Sequence, residues 1–347
     1  MMHIKKLALT ACMVASTSAH ADFEIDISDD SKLSFGGYLK IDLRNVNGDI
    51  AYRDFWVGNN AVAPDTNETR IHARESRFNI KYQHNNVKAV VEWDFYDDQQ
   101  PVGTNETVTG GHSLRLRHGY VTTGNWIVGQ TWSTFMPLVS LADALDFGGA
   151  HVGQVFNRQA QIRYTTGGLE LALENPSTQS GVSQSTPDAV ARYTAKGDWG
   201  RVSVAGLMRN LDNGGDPEAA DGTQFSYNIH GRFNVFSRDD IRFSYTTGRA
   251  GRYVSPGANI ADLAIDGDIH EIDAYTLAYR HFWSDQWRSS LYYGKGKIDA
   301  LDIDRDHIGL NLIRSINEKL SIGAEVGQYS TESADSSYFQ ISAKYNL

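Results

Sequence analysis

Leu33-Ser-Phe-Gly-Gly-Tyr-Leu-Lys-Ile-Asp-Leu-Arg44 reads as a strand with two different faces. Leu33, Phe35, Leu39, Ile41 and Leu43 share one side. Tyr38, Lys40, Asp42 and Arg44 share the other. A period of two is the signature of an extended chain between two unlike media. The pattern recurs along the chain. Val87, Ala89, Val91, Trp93 and Phe95 alternate with Lys88, Glu92 and Asp94. The last eleven residues set Phe339, Ile341, Ala343, Tyr345 and Leu347 against Tyr338, Gln340, Ser342 and Lys344.

Sixteen such segments lie near residues 32–46, 70–84, 86–97, 112–122, 125–133, 155–166, 169–175, 188–196, 200–210, 223–236, 240–248, 270–282, 286–296, 305–315, 319–329 and 337–347. Short breaks, such as Gly167-Gly168 and Ser284-Asp285, alternate with long polar ones. Short turns at one end and long loops at the other are the layout of outer-membrane barrels. A large soluble sandwich or β-helix alternates too. Neither accounts for the aromatics at strand ends, among them Tyr82, Trp126, Tyr193, Trp199, Trp283 and Trp287. Aromatic girdles mark the two edges of a lipid-facing band. The expected fold is all-β: a transmembrane antiparallel β-barrel of sixteen strands.

The stretch Trp126 to Tyr164 departs from the pattern. Its two ends alternate, but Ser133 to Gly153 has no hairpin chemistry. It carries Asp143 and Asp146 and breaks at Pro137 and Gly148-Gly149. A connection this long must pack on something. One reading is a constriction loop after strand 5, at about 133–153, folded into the space the strands enclose. The other is a surface loop with one helical turn. The stretch by itself leaves both open.

Residues 1–21 read as a signal peptide, with Lys5 and Lys6, an apolar middle and Ala19-His20-Ala21 before the cut. Residues 22–347 form the barrel domain. Cys12 ends a lipoprotein-like box, but only five residues separate it from Lys6, too short an apolar region. As the sole cysteine, it leaves the exported chain without disulfides or thiolate chemistry. Removing two lysines leaves 30 bases against 42 acids, a net charge of −12. That balance argues against nucleic acid as a partner. Outside the signal, no apolar run approaches the length of a spanning helix. No cofactor is expected. Asp143 and Asp146 alone do not make a metal site.

The segments Glu68-Thr-Arg-Ile-His-Ala-Arg-Glu-Ser-Arg-Phe-Asn-Ile80, Gly129-Gln-Thr-Trp-Ser-Thr-Phe-Met136, Leu145-Asp-Phe-Gly-Gly149 and Phe156-Asn-Arg-Gln-Ala-Gln-Ile-Arg-Tyr164 resemble the DcaP family of outer-membrane porins. The resemblance is densest from Glu68 to Pro176. It implies a sixteen-stranded barrel, a homotrimer, inward-folded loops and passage of small anions such as dicarboxylates. The family's best-known members carry a helical extension before the barrel. Here only Asp22 to Ser31 precede the first strand, so no periplasmic coiled coil is expected.

If the apolar face meets lipid, the other face lines a pore. Lys40, Arg44, Arg77, Lys81, Arg115, Arg117, Arg163, Arg192, Arg232, Arg242, Arg280 and Arg288 then point inward, beside Asp42, Glu92, Asp94 and Glu170. Arginine carries a permanent charge on a planar fork that fits carboxylates. A ring of such groups selects anions. The same arginines can instead pair with the inward acids and hold the wall. For Arg115 and Arg117, two residues apart on one face, the permeation role is preferred. Lys40 is expected to tolerate replacement better than lipid-facing Ile41.

The expected function is a passive porin in the Gram-negative outer membrane, in contact with the bilayer and lipopolysaccharide, with small anionic solutes as its partners. A barrel lipase or protease is the alternative enzyme class. Yet no Gly-x-Ser-x-Gly elbow or His-Glu-x-x-His pair occurs. A plugged receptor needs a longer chain, and an adhesive barrel would leave the basic wall unused.

Overall fold

A computed structural model describes residues 23–50, 62–97, 112–146, 149–177, 182–254 and 264–347. The signal-peptide reading and Cys12 lie outside them, as do Gly148 and parts of four long loops. The strands are β1 (Phe23–Ser28), β2 (Ser31–Ile50), β3 (Val62–His72), β4 (Arg77–His84), β5 (Val87–Asp97), β6 (Ser113–Thr123), β7 (Trp126–Trp132), β8 (Arg158–Thr166), β9 (Leu169–Glu174) and β10 (Asp188–Gly197). There follow β11 (Gly200–Leu211), β12 (Gly222–Val235), β13 (Asp239–Gly248), the two-residue β14 (Ala264–Ile265) and β15 (Asp268–Ile269), β16 (Ile272–Phe282), β17 (Trp287–Ile298), β18 (Ile303–Ser315), β19 (Leu320–Ser330) and β20 (Asp335–Asn346).

Neighbours pair antiparallel from β4 round to β20, with β13 meeting β16. β20 closes on β2, Lys344 opposite Lys40 and Gln340 opposite Arg44. Closure removes every open edge, which is what allows a sheet to cross lipid. The main sheet has 18 strands. β1 is an arm on the start of β2, and β3 and β4 both pair with β2 as one crossing. Thus 18 − 1 − 1 gives a closed sixteen-stranded barrel.

The faces follow the alternation. Leu39 and Ile41 are exposed, while Lys40, Asp42 and Arg44 between and beside them are buried. In water, 56 % exposure of Ile41 would be unfavourable; against acyl chains it is the low-energy state. Trp126, Tyr193, Trp199, Trp283 and Tyr345 are exposed near the short-turn end. Asn85, Gly124 and Gly167 take positive φ in those turns, as tight hairpins require.

Two features depart from the sequence reading. The segment expected as one strand at 70–84 is interrupted at 73–76, where Tyr38 still pairs Arg77 and Asp42 already pairs His72. Four residues there oppose three on β2, a bulge that turns Glu75 inward to Lys40. Gly37 permits it: a Cβ there would lie 2.0 Å from the Arg77 carbonyl oxygen. The second departure is β1, paired with Ser31–Phe35 where no strand was expected. Its residues are exposed on both faces, so no burial contrast marked it.

Candidate functional site: the inner wall and the segment packed against it

Residues 133–157 join β7 to β8, the fifth and sixth crossings. The Ser133 amide donates to the Asn157 carbonyl and closes the base of this insertion. Phe135 and Met136 are fully buried in an apolar cluster with Val155, Tyr253 and Val254 and with inward residues of β9, β10, β11, β16 and β17. Further along, contacts reach round the barrel. The Leu141 carbonyl accepts from Arg242 on β13. Asp143 accepts from Arg280 on β16 and Arg288 on β17, at 3.3 and 2.7 Å. Asn311 on β18 donates to the Asp143 carbonyl, and the Leu145 amide donates to Glu325 on β19. Lys40 on β2 reaches the Leu145 carbonyl, and Arg44 lies 3.5 Å from Asp146. Burial by itself would raise the Asp143 carboxyl. Arg288, Arg280 and Arg242 overcome it and hold the group down to about 2.

A second connection also turns inward, which the sequence did not suggest. Tyr253 lies between β13 and β16, in the short helical turn Gly251–Tyr253. Its hydroxyl donates to Asp188 at 2.9 Å and also reaches Glu174. Val254 bridges to Val155, so the two connections are tied by backbone. The sequence of 249–263 shows no period-two alternation. A single buried tyrosine carries no periodic signal.

The wall charges fall into clusters with one rule. Asp94 takes Arg115 and Arg117, and Glu92 takes Arg117 and Arg77. Glu170 takes Arg163 and Arg192. Asp240 takes Arg242 and Arg280, and Asp143 takes Arg280 and Arg288. Asp188 takes Arg209 and Arg252. Six carboxylates hold ten arginines, an excess of 10 − 6 = +4. Around Lys40 and Arg44 the balance is reversed, two cations to Asp42, Glu75 and Asp146. Among these named ion-paired groups the two sums leave +3. Arg232, read from the sequence as pore-lining, makes no ion pair among the described residues. Lys81 faces inward opposite Ser34.

These pairings bear on two expectations. Arg115 and Arg117 both pair with the inward acid Asp94, as the wall-holding reading has it, and the Arg117 side chain is 1 % exposed against 27 % for Arg115. Lys40 is not a tolerant position, because it is 4 % exposed and neutralises Glu75 and Asp42. Arg158 was missed. Strand parity puts it outward with Ala160 and Ile162, but it stacks 4.3 Å above Trp132, its cross-strand partner, where the chain bends in. Glu75, Arg209 and Arg252 were also missed, the first because of the bulge and the last because it sits on a connection.

Among the described residues no cluster of metal-ligating side chains occurs. No helix is long and apolar enough to cross a membrane.

Comparison with known proteins places this architecture. The fold matches the outer-membrane channel DcaP of Acinetobacter baumannii over 94 % of this chain and 100 % of that one, with 20 % identity and a TM-score of 0.78. OmpT of Vibrio cholerae matches over 93 % and 100 %, with 15 % identity and a TM-score of 0.60. The anion-selective porin from Comamonas acidovorans matches over 92 % and 100 %, with 12 % identity and a TM-score of 0.59. No curated protein sequence matches the chain. The profile described as DcaP outer membrane protein matches residues 17–298. The chain belongs to the DcaP outer membrane protein family, and is a Gram-negative outer-membrane porin.

Proposed function

We propose that the pore passes small hydrophilic solutes passively and prefers anions, short dicarboxylates among them. The observation that carries this reading is the sharing of six carboxylates among ten arginines, on the inner wall and the two connections packed against it. A one-to-one wall would be neutral and purely structural. A ten-to-six wall is braced by its acids and still presents net positive charge to solute. Acids elsewhere, such as Asp212, Asp216 and Glu218, are on a long outer loop, where salt screens them over about 8 Å. Charges inside a narrow space act at contact distance and weigh several times more.

The insertion at 133–157 is the constriction in this reading. It occupies lumen beside Arg242, Arg280 and Arg288 while leaving those guanidinium groups partly open. The assembly is a homotrimer, which the resemblance implies and which the exposed apolar belt can accommodate. Liposome swelling tests the solute class: succinate should enter faster than a neutral sugar of its size, and a diamine slowest. A diamine faster than succinate would refute the preference.

A further inference from the structure

Four cations stand side by side where β10 to β13 approach the short-turn end. Lys196 faces Arg201 directly across β10 and β11. Arg201 faces Arg232 across β11 and β12, and Arg232 faces Arg242 across β12 and β13. All four share the inward parity: Ser203 and Ala205 on β11 are buried while Val204 between them is exposed. Directly opposed residues have Cβ atoms about 5 Å apart, and like charges so placed destabilise a sheet. Three such pairs in a row have no structural benefit of their own.

Only one end of the row is neutralised. Arg242 has Asp240 at 2.6 Å and the Leu141 carbonyl. Asp240 is already shared with Arg280. Lys196, Arg201 and Arg232 make no ion pair and no side-chain hydrogen bond among the described residues. The Arg232 Nε is buried without a partner. These three cations, with Gly197, Gly200 and Asn234, line a cavity of 370 Å³. Repulsion, an orphaned donor and open space therefore coincide.

We propose that this cavity is a separate anion site at the short-turn mouth of the pore, built for a small dianion. The chemistry is that shared by inorganic phosphate and short dicarboxylates. Two guanidinium forks and an ammonium match a ligand with several oxygens and at least two charges. A monovalent ion leaves most of the repulsion in place. Short turns of outer-membrane barrels face the periplasm, so the site lies at the inner exit. Arg242, which also touches the insertion, connects it to the interior. The site's part in transport rests on the anion-pore reading; dianion binding at this mouth does not.

The test is the heat-denaturation midpoint of the purified protein in detergent, in chloride, phosphate or succinate at one ionic strength. The wild-type midpoint should rise by roughly 2–4 °C with phosphate or succinate over chloride. Arg201→Gln/Arg232→Gln should lose that rise. In chloride it should be at least as stable as wild type, because the repulsion is gone. Arg238→Gln, which removes an exposed cation at the same end, should keep the rise. A double variant that retains the dianion-dependent rise overturns the site, as does one less stable than wild type in chloride. Equal wild-type midpoints in all three salts overturn it too. A cation-preferring pore that still shows the rise and its loss would sink the anion-pore reading and leave the site standing.

Discussion

Arg288 holds Asp143 at 2.7 Å, joining the middle of the insertion to a strand far round the barrel. With Arg280 on its other side, the Asp143 carboxylate is a hinge pin for residues 133–157. Asp143→Asn should release that pin. Single-channel conductance should rise and become noisier, and stability should fall by about 1–3 kcal/mol. Unchanged conductance would show that the segment does not limit the pore.

The same residue fixes a pH response. Its carboxyl goes from an ordinary 3.8 to about 2 in the folded protein. A depressed folded value stabilises above the unfolded value and is lost as pH falls through the folded one. The stability that the Asp143 contact contributes should therefore be complete above about pH 4 and decline below it, while the contact itself is lost only as pH falls through about 2. Conductance recorded over that range checks it. A transition centred above pH 4 that Asp143→Asn abolishes would contradict this assignment.

Arg115 and Arg117 should separate cleanly. Arg117 is buried between Glu92 and Asp94, and removing one member of a buried ion pair costs about 3–5 kcal/mol. Arg117→Ala should thus impair refolding into bilayers. Arg115→Ala should fold almost as wild type and shift selectivity away from anions, because its partner Asp94 keeps Arg117. Equal refolding of the two variants would show that burial was misread.

Neighbours on opposite faces should fail for opposite reasons. Ile41→Arg places a charge in lipid, at about 2–4 kcal/mol near the midplane. Lys40→Met strands the Glu75 and Asp42 carboxylates, and adding Glu75→Gln should recover part of the loss. Denaturant titration of refolded barrels measures all three. No recovery in the double variant would mean that Lys40 acts by packing alone.

Much of this architecture was legible because lipid and water impose a period of two. Leu39, Lys40, Ile41 and Asp42 each went to the face their chemistry demands. The sixteen crossings follow from that contrast repeated between turns. Legibility ended where parity ended. The bulge at 73–76 hid Glu75, and the inward bend at Trp132 hid Arg158. Tyr253 lies on a connection with no periodicity at all. Pairing was also beyond the pattern: alternation shows that Arg115 and Asp94 face the same space, and only register shows that they touch. The row from Lys196 to Arg242 is a register fact of the same kind, invisible in any one strand.

The central claim is that local wall charge overrides a chain charge of −12. The zero-current potential of single pores in a potassium chloride gradient measures this directly. The account predicts a sign set by chloride, strongest at low salt and diminishing as salt screens the wall. A sign set by potassium at low salt would contradict it.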